Sequence, residues 1–412
     1  MIKISTVICF LWLSLGASVA CAQERLNQLS LEEAVSLATR ENFLVRAKEF
    51  EVQATRANEI TAGLRPNPAF SYIAEQLGEH EKNKEQHTVT IGQIIETGGK
   101  RQRRLESALA TTRVAGHDLE AVRRQIVFQV KKSFTDVLTA KAALALAEQS
   151  LKALGDIEQI QRLRAAKGDI SELELLRIQV QQFPFQRDAA DAQQAVRAAK
   201  IALRAVAGPD RIGEEYDVVG ELGFRDVAYK SADLYTLARA NRPEIRAVEA
   251  AREKTRADIA LAQANAWWDI TPLLEYRRDG KFDTFGVGIS LPLRIFDRNQ
   301  GEIERTRAES YRVEALYQAT VVLALSEVDT ALGAVATERG KVTALRDAYL
   351  PKAQRVRETV EFAYRRGAAN LLDFLDAQRT YRETSLEYVR TLGNYWTAIY
   401  QLELAVGGSL EK

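Results

Sequence analysis

The sequence has almost no sulfur. Its 412 residues include two cysteines and one methionine, at Cys9, Cys21 and Met1. All three lie in the first 21 positions, so the chain beyond them contains neither a disulfide nor a cysteine metal site.

Patterns for catalysis are also absent. The three histidines are His80, His87 and His117, and none lies in a serine–histidine–acid set or at carboxylate–histidine metal spacing. The sequence therefore predicts a protein that is not an enzyme and has no cofactor and no metal site. The net charge of +1 argues against a nucleic-acid binder, which usually has a clear basic excess.

The first 22 residues have the order of a secretory signal peptide: Lys3, an apolar core, then small residues. Ala20-Cys21-Ala22 fits the small-x-small pattern, and we expect cleavage after Ala22. The alternative is a lipobox that makes Cys21 an acylated first residue, although Ser18 stands where an aliphatic residue is usual. No later segment has the roughly 18 consecutive apolar residues of a spanning helix.

The chain is a tandem duplication. Residues 88–108 resemble 287–309 when shifted by 198 positions, and 37–47 resemble 237–247 when shifted by 200. Gly168 falls on Gly367 with a shift of 199. Because separate stretches agree to within two residues, the repeat unit is about 200 residues long and not a short solenoid period.

Each copy has the same predicted order of elements. Copy one (23–207) contains a helix over 30–64, strands at 69–77 and 87–96, a long helix over 98–167, and a helix over 171–207 kinked at Pro184. Copy two (231–407) contains a helix over 231–266, strands at 269–278 and 282–293, a long helix over 297–366 bent at Pro351, and a helix over 370–407. Residues 208–230 lack periodicity and are predicted to be an irregular linker that forms a side layer, called the equatorial linker, and 408–412 a tail.

The helix lengths constrain the architecture. A helix of about 70 residues spans about 105 Å. The two shorter helices of each copy sum to nearly that length, so we expect them to pack end to end along the long one. In the last helix, residues recur every seven positions, which is typical of coiled packing; they are Phe374, Tyr381, Tyr388, Tyr395 and Leu402.

The short alternating segments predict membrane strands. In 284–293 apolar residues at odd positions alternate with threonine, glycine and serine, and each segment has about the 10 residues that a tilted strand needs to cross a bilayer. Trp267, Trp268 and Phe296 flank the second pair, as an interfacial aromatic girdle would. Ordinary soluble hairpins are the alternative.

Four strands cannot close a barrel, and an open edge in lipid leaves backbone groups unpaired. Spanning strands therefore require an oligomer. Three copies give twelve strands, whereas two give eight, which leaves an interior filled by side chains.

Together these features resemble the TolC family of outer membrane efflux ducts over nearly the whole mature chain. LSLEEAVSLATREN and NRPEIRA resemble the first helices of the two copies, and AAKGDISELELLRIQ and YRRGAANLLDFLDAQ resemble the two periplasmic helix turns. GGKRQ and YLPKA are most similar to the heavy-metal branch, which serves cobalt, zinc and cadmium or copper and silver.

The resemblance implies a fold class of α plus membrane β. A homotrimer would build a twelve-stranded barrel in the outer membrane lipid and a helical tunnel through the periplasm. The tunnel would meet a periplasmic membrane-fusion adaptor and an inner-membrane RND pump, and adaptor contact would open it.

The resemblance also implies functional residues at the tunnel tip. Asp373 and Asp376, with Glu174 of copy one, would ring the aperture. The adaptor would contact the tips through a further set: Gly168, Leu173, Arg365, Arg366, Gly367 and Leu372. The family often has a basic locking residue after the tip glycine, but Ala368 and Ala369 stand there, so Arg365 and Arg366 are the substitutes.

Local structure offers a second interpretation of these carboxylates. Asn370-x-x-Asp373 and Ser171-x-x-Glu174 both have capping-box spacing, which alone would explain Asp373 and Glu174. Asp376 lies beyond the first turn, where the alternative is a solvated face or an ion pair with Arg379. We therefore expect Asp376 to be the stronger gate residue.

The predicted function is an exit duct of a tripartite efflux system, with heavy-metal cations as cargo. One alternative is a duct for drugs or other organic compounds, and another is a soluble periplasmic coiled-coil scaffold or adaptor. A duct without cysteine or methionine need not bind metal, so cargo selection then lies in the pump.

Overall fold

The computed structural model describes residues 26–77, 85–168 and 170–410. The predicted signal peptide with Cys21, and most of the first hairpin connector with His80, lie outside these residues.

The described residues form sixteen helical and strand elements, arranged as two similar series joined by one strand. Copy one consists of β1 (Leu26–Leu29), α1 (Leu31–Glu41), α2 (Phe43–Gly63), β2 (Ala69–Glu75), β3 (Gln86–Gly92), α3 (Lys100–Ala166) and α4 (Glu172–Ala207). After β4 (Ile212–Val218), copy two consists of α5 (Ser231–Asn241), α6 (Pro243–Ala264), β5 (Thr271–Asp279), β6 (Phe282–Ser290), α7 (Gln300–Ala344), a π-helical turn (Leu345–Tyr349), α8 (Leu350–Arg365) and α9 (Leu371–Val406).

The expectation of one opening helix per copy is wrong, because each is broken in two. At Asn42 the backbone is extended, and the Asn42 side chain accepts from the Leu44 amide and so starts α2. In copy two Pro243 begins α6, and a proline disfavours the helical conformation of the residue before it, here Arg242.

The long helices pack as their lengths predict. The 67 residues of α3 extend about 100 Å. α3 packs against both α2 and α4, while α7 packs against α6 and α9. The predicted bend near Pro351 is preceded by the π-helical turn Leu345–Tyr349, since proline supplies no amide for a regular helical bond. Pro184 lies inside α4, which continues through it.

The equatorial linker is more regular than expected. Its strand β4 pairs in parallel with β1, which the sequence pattern did not predict. Both strands contribute to a core with α1, α3 and α4 that includes Leu29, Phe134, Leu203 and Tyr216. A second core in copy two centres on Tyr395 and Leu402 of α9, two of the predicted heptad residues.

The sequence analysis expected no apolar segment of spanning length after the signal peptide, but one described helical stretch is apolar over such a length. Gln300–Arg365 contains an 18-residue window of mean hydropathy 1.5, long and apolar enough to cross a membrane by length and composition. Only 22% of that window is buried. Val322 and Leu323 on the same helix are largely exposed.

Candidate functional site

The four remaining strands form one antiparallel sheet in the order β2-β3-β5-β6. The strands are somewhat shorter than predicted, and the second strand ends at Gly92 instead of residue 96. Beyond it a single bridge joins Ile95 to Ile270. Thus both copies contribute a hairpin to a shared sheet, and β3 of copy one pairs with β5 of copy two.

The register gives this sheet one apolar and one polar face. Residues directly opposite each other in an antiparallel pair point to the same side. The apolar face carries Phe70, Tyr72, Val89, Ile91, Leu274, Tyr276, Phe285, Val287 and Ile289. The other face is mainly polar and carries Ser71, Thr88, Thr90, Glu275, Arg277, Thr284, Gly286 and Gly288, with Ile73, Leu273 and Phe282 as its large apolar residues. Val287 is 89% exposed, so the apolar face is uncovered within one chain.

Aromatic residues mark the end of the sheet nearest the helices. Phe296 is 90% exposed, and Trp267 is also exposed. Trp267 lies against Gly98, where an added Cβ would come within 2.9 Å of its ring. Gly98 and Gly99 both have positive φ, at 64° and 72°, which explains the glycine pair before α3.

A buried ion pair at this junction was missed by the sequence analysis. The Lys100 ammonium lies 2.7 Å from Asp269, and the Lys100 side chain is only 5% exposed. The Thr97 amide donates to the same carboxylate oxygen at 3.0 Å. The pair fixes the start of α3, in copy one, to the segment before β5, in copy two. A lysine directly after two glycines was its only sequence signal.

The helix tips lie at the opposite end of the helices. Gly168 and Gly367 end α3 and α8 with φ of 80° and 77°, a left-handed conformation that favours glycine. The next helices start with similar caps: Ser171 accepts from the Glu174 amide at 3.3 Å, and Asn370 accepts from the Asp373 amide at 2.9 Å.

The caps do not engage the two carboxylates. In α1 the box is reciprocal, because Glu33 also accepts from the Ser30 amide. Among the bonds of the described residues, neither Glu174 nor Asp373 makes that return contact. Asp373 is exposed and Glu174 is half-buried. Capping therefore accounts for their backbone amides, whereas the two carboxylates interact favourably with the helix dipole without closing a capping box.

The ion pair with Arg379, which was the alternative to a gate role for Asp376, is present. Arg379 donates to the Asp376 carboxylate at 2.7 Å, and the two side chains are 61% and 65% exposed. An exposed pair of this kind contributes about 0–1 kcal/mol. The Asp376 carboxylate thus stays accessible at the start of α9.

A small hydrophobic core next to the tips is shared by α3, α4, α8 and α9. Tyr364 stacks on Phe374 with ring centroids 5.0 Å apart, and Gln161 donates to the Tyr364 hydroxyl at 2.7 Å. Burial raises the pKa of Tyr364, and the nearby Glu174 carboxylate adds to this shift. Arg164 also donates to the Arg365 carbonyl at 2.7 Å. The tips of α3–α4 and α8–α9 are therefore neighbours.

The two tip arginines are engaged close by in sequence. Arg365 pairs with Glu361 at 2.7 Å, and the Arg366 guanidinium lies 4.5 Å from the Phe362 ring centroid. Leu173 and Leu372, each the second residue of its helix, are 59% and 72% exposed.

The sequence analysis also missed a polar cluster around Glu158, which lies between α3 and α4 near the tips. Glu158 accepts from Arg162, Gln179 and Gln182, which lower the pKa of its carboxyl group. Within the described ranges no group of three or more histidine, cysteine, aspartate or glutamate residues is placed to hold a metal ion.

Comparison with known proteins found similarity over nearly the whole chain. A family model described as outer membrane efflux protein matches residues 34–209 and 234–408, one segment in each copy. The cobalt-zinc-cadmium resistance protein CzcC of Cupriavidus metallidurans is 27% identical over 389 residues, which cover 93% of this chain and 91% of CzcC.

Two further similarities were found. The pyoverdine export outer membrane protein OpmQ of Pseudomonas putida is 23% identical over 76% of this chain and 67% of OpmQ. A crystal structure of CusC superposes with a TM-score of 0.76 over 92% of each chain, at 18% identity. The CusC likeness concerns the fold alone.

Proposed function

The chain belongs to the outer membrane efflux protein family, and we propose that three copies of it form the exit duct through which a tripartite pump exports heavy-metal cations. Membership makes the protein an outer membrane efflux duct that extends into the periplasm, and a transport channel instead of an enzyme. It also decides against the soluble scaffold considered from the sequence.

The main evidence for the trimer is the open four-stranded sheet, which has an apolar face and a mainly polar face. An apolar face suits lipid, and a polar face suits a water-filled lumen. The edge strands β2 and β6 have no partner on their outer sides within the described chain. Unpaired strand edges are not tolerated in lipid, and three copies would close them into a twelve-stranded barrel.

Exposed apolar side chains along the helices support the same assembly. These side chains are more than half exposed in one chain: Phe43, Leu44, Phe50, Val180, Phe183, Tyr311, Val322 and Leu323. These side chains lie on α2, α4 and α7, and large apolar side chains left exposed on several helices point to surfaces that a partner covers. Neighbouring copies in a closed helical tunnel would cover them.

The metal cargo is inferred from the extent of the similarity. CzcC matches this chain over nearly its full length, at higher identity than OpmQ, whose name refers to an organic cargo. The relationship therefore favours cobalt, zinc or cadmium over a siderophore or drug.

The gate is proposed at the tips of α4 and α9. Asp373, Asp376 and Glu174 are acidic groups that capping leaves available, and three copies would bring nine of them around one axis. Leu173 and Leu372 are exposed apolar side chains on adjacent tips, and an adaptor that bound there would bury them. Gly168 and Gly367 allow the tight turns there, and Arg365 and Arg366 flank the second turn.

Cysteine labelling tests the barrel. Val287→Cys and Gly288→Cys occupy neighbouring positions on opposite faces of β6. In outer membranes we expect the first to react with a lipid-soluble thiol reagent and the second with a water-soluble one that enters the lumen. Heat-sensitive trimers should run in the same membrane fraction. Equal aqueous labelling of both positions, or a soluble monomer, would contradict the proposal.

The cargo needs a separate test. Deletion of the gene should lower resistance to cobalt, zinc or cadmium, and restoring it should recover resistance without changing siderophore or drug export. The reverse pattern would leave the duct intact and overturn the metal assignment.

A further inference from the structure

A charge pair lies in the middle of the sheet's polar face. Two neighbouring rows cross the four strands there: Ser71, Thr90, Glu275 and Gly286, then Ile73, Thr88, Arg277 and Thr284. Glu275 and Arg277 are the charged members of these rows, and Arg277 Nη2 lies 3.2 Å from Glu275 Oε1. Charge at mid-strand is therefore concentrated on β5.

The neighbours of this pair are short or neutral. Gly286 stands beside Glu275 on β6, and a Cβ built there would lie 3.8 Å from that of Glu275. Thr88 and Thr90 flank the pair on β3. With small residues on both sides, Glu275 and Arg277 project further than their surroundings, and their side chains remain 38% and 51% exposed.

The rest of the polar face adds negative charge. Glu75 and Asp279 lie on the same face near the hairpin end, and Gln86 donates to Asp279 at 3.1 Å. The strands thus present three acidic groups and one basic group on this face. The apolar face, by contrast, carries Arg278 and Asp283 at its hairpin end.

We propose that Glu275 is a cation-selecting residue inside the membrane barrel and that the adjacent Arg277 limits how strongly it attracts cations. The proposal rests on the closed trimer, in which three such pairs would surround the lumen. Its ligand class is the hydrated metal cation in transit, attracted without loss of its water shell. The acidic groups of the helix tips belong to the other end of the molecule.

The size of the effect follows from electrostatics in water. A unit charge about 8 Å away changes the local concentration of a monovalent ion roughly twofold, upward for cations and downward for anions. The ratio of the two therefore changes severalfold. Salt screens this interaction over about 10 Å at 0.1 M and over about 3 Å at 1 M.

Reversal potentials across a potassium chloride gradient test the proposal with the full-length trimer in planar bilayers. At about 0.1 M salt, Glu275→Gln should lower the ratio of potassium to chloride permeability severalfold, and Arg277→Gln should raise it. Both differences should shrink at 1 M. Arg278→Gln is the matched control, because it removes the same charge one residue away on the opposite face and should leave the ratio unchanged.

A second variant avoids effects of folding. In Glu275→Cys the thiol can be modified after assembly, since the sequence has no cysteine beyond Cys21. A sulfonate reagent should restore the cation preference, and a trimethylammonium reagent should reverse it. If neither the substitution nor the reagents change the ratio of potassium to chloride permeability, this proposal is wrong, whereas the proposed exit duct is not affected. If the unaltered protein runs as a monomer in the outer membrane fraction, the closed barrel itself is wrong.

Discussion

At the scale of single residues, the acidic groups of the second tip differ in their surroundings. The Asp373 amide serves the cap of α9, while its carboxylate is exposed. The Asp376 carboxylate has one exposed partner, Arg379. Because both carboxylates are exposed, both can act on what passes the tip.

We expect Asp376→Asn to reduce cation conductance and cation block of the reconstituted trimer, because it removes an accessible charge from the proposed aperture. Arg379→Gln should act in the opposite direction by freeing the carboxylate. Asp347→Asn is a suitable control, since Asp347 is exposed and paired with Arg346 but lies at the π-helical turn. Unchanged conductance and block in both Asp373→Asn and Asp376→Asn would remove the gate.

At the scale of secondary-structure elements, the break in the opening helices depends on Asn42 and Pro243. Besides starting α2, Asn42 donates through Nδ2 to the Val206 carbonyl at 2.9 Å. This bond ties the break to the end of α4. One side chain thus ends a helix, begins another and fixes both to a third element.

Asn42→Ala should lower the free energy of unfolding by about 0.5–2 kcal/mol, because the α2 amide and the Val206 carbonyl both lose a partner. Asn42→Asp keeps the capping acceptor but loses the donor, so its cost should be smaller. The measurement is thermal or denaturant unfolding in detergent. Equal stability of Asn42→Ala and the unaltered protein would show that the break is set by packing alone.

At the scale of the whole molecule, the two copies are joined at the membrane junction by Lys100 and Asp269. Lys100 is almost fully buried, whereas the Asp269 side chain is 27% exposed. The two ends of the pair should therefore respond differently to substitution, because a buried charge without a partner is more costly than a partly solvated one.

We expect Asp269→Asn to destabilise the trimer more than Lys100→Met does, with a loss of up to about 3–5 kcal/mol for the former. Lys100→Met leaves only a partly hydrated carboxylate. The temperature at which trimers dissociate on gels measures the difference, and the double variant should recover part of the loss. An equal effect of the two single variants would contradict this account of the junction.

Much of the molecule was predictable because periodicity and length are local properties of the chain. The duplication, the long helices, the glycine turns at 168 and 367, and the alternating strands could all be recognised from residue spacing. Even the α9 heptad residues Tyr395 and Leu402 are buried as expected. The helix break at Pro243 had a sequence signal in the proline itself, although the pattern on either side concealed it.

The sequence by itself determined that two similar halves each supply a hairpin and a long helix, since the elements follow from short-range spacing and the duplication from a match between the halves at a shift of about 200 positions. Only the tertiary structure decided which hairpins pair, that β1 joins β4, and that Lys100 meets Asp269 across 169 positions. Such contacts join residues far apart along the chain, and their energy depends on burial and geometry that no local pattern contains. For the same reason, the polar face bearing Glu275 and Arg277 was identified only when the register of all four strands was known.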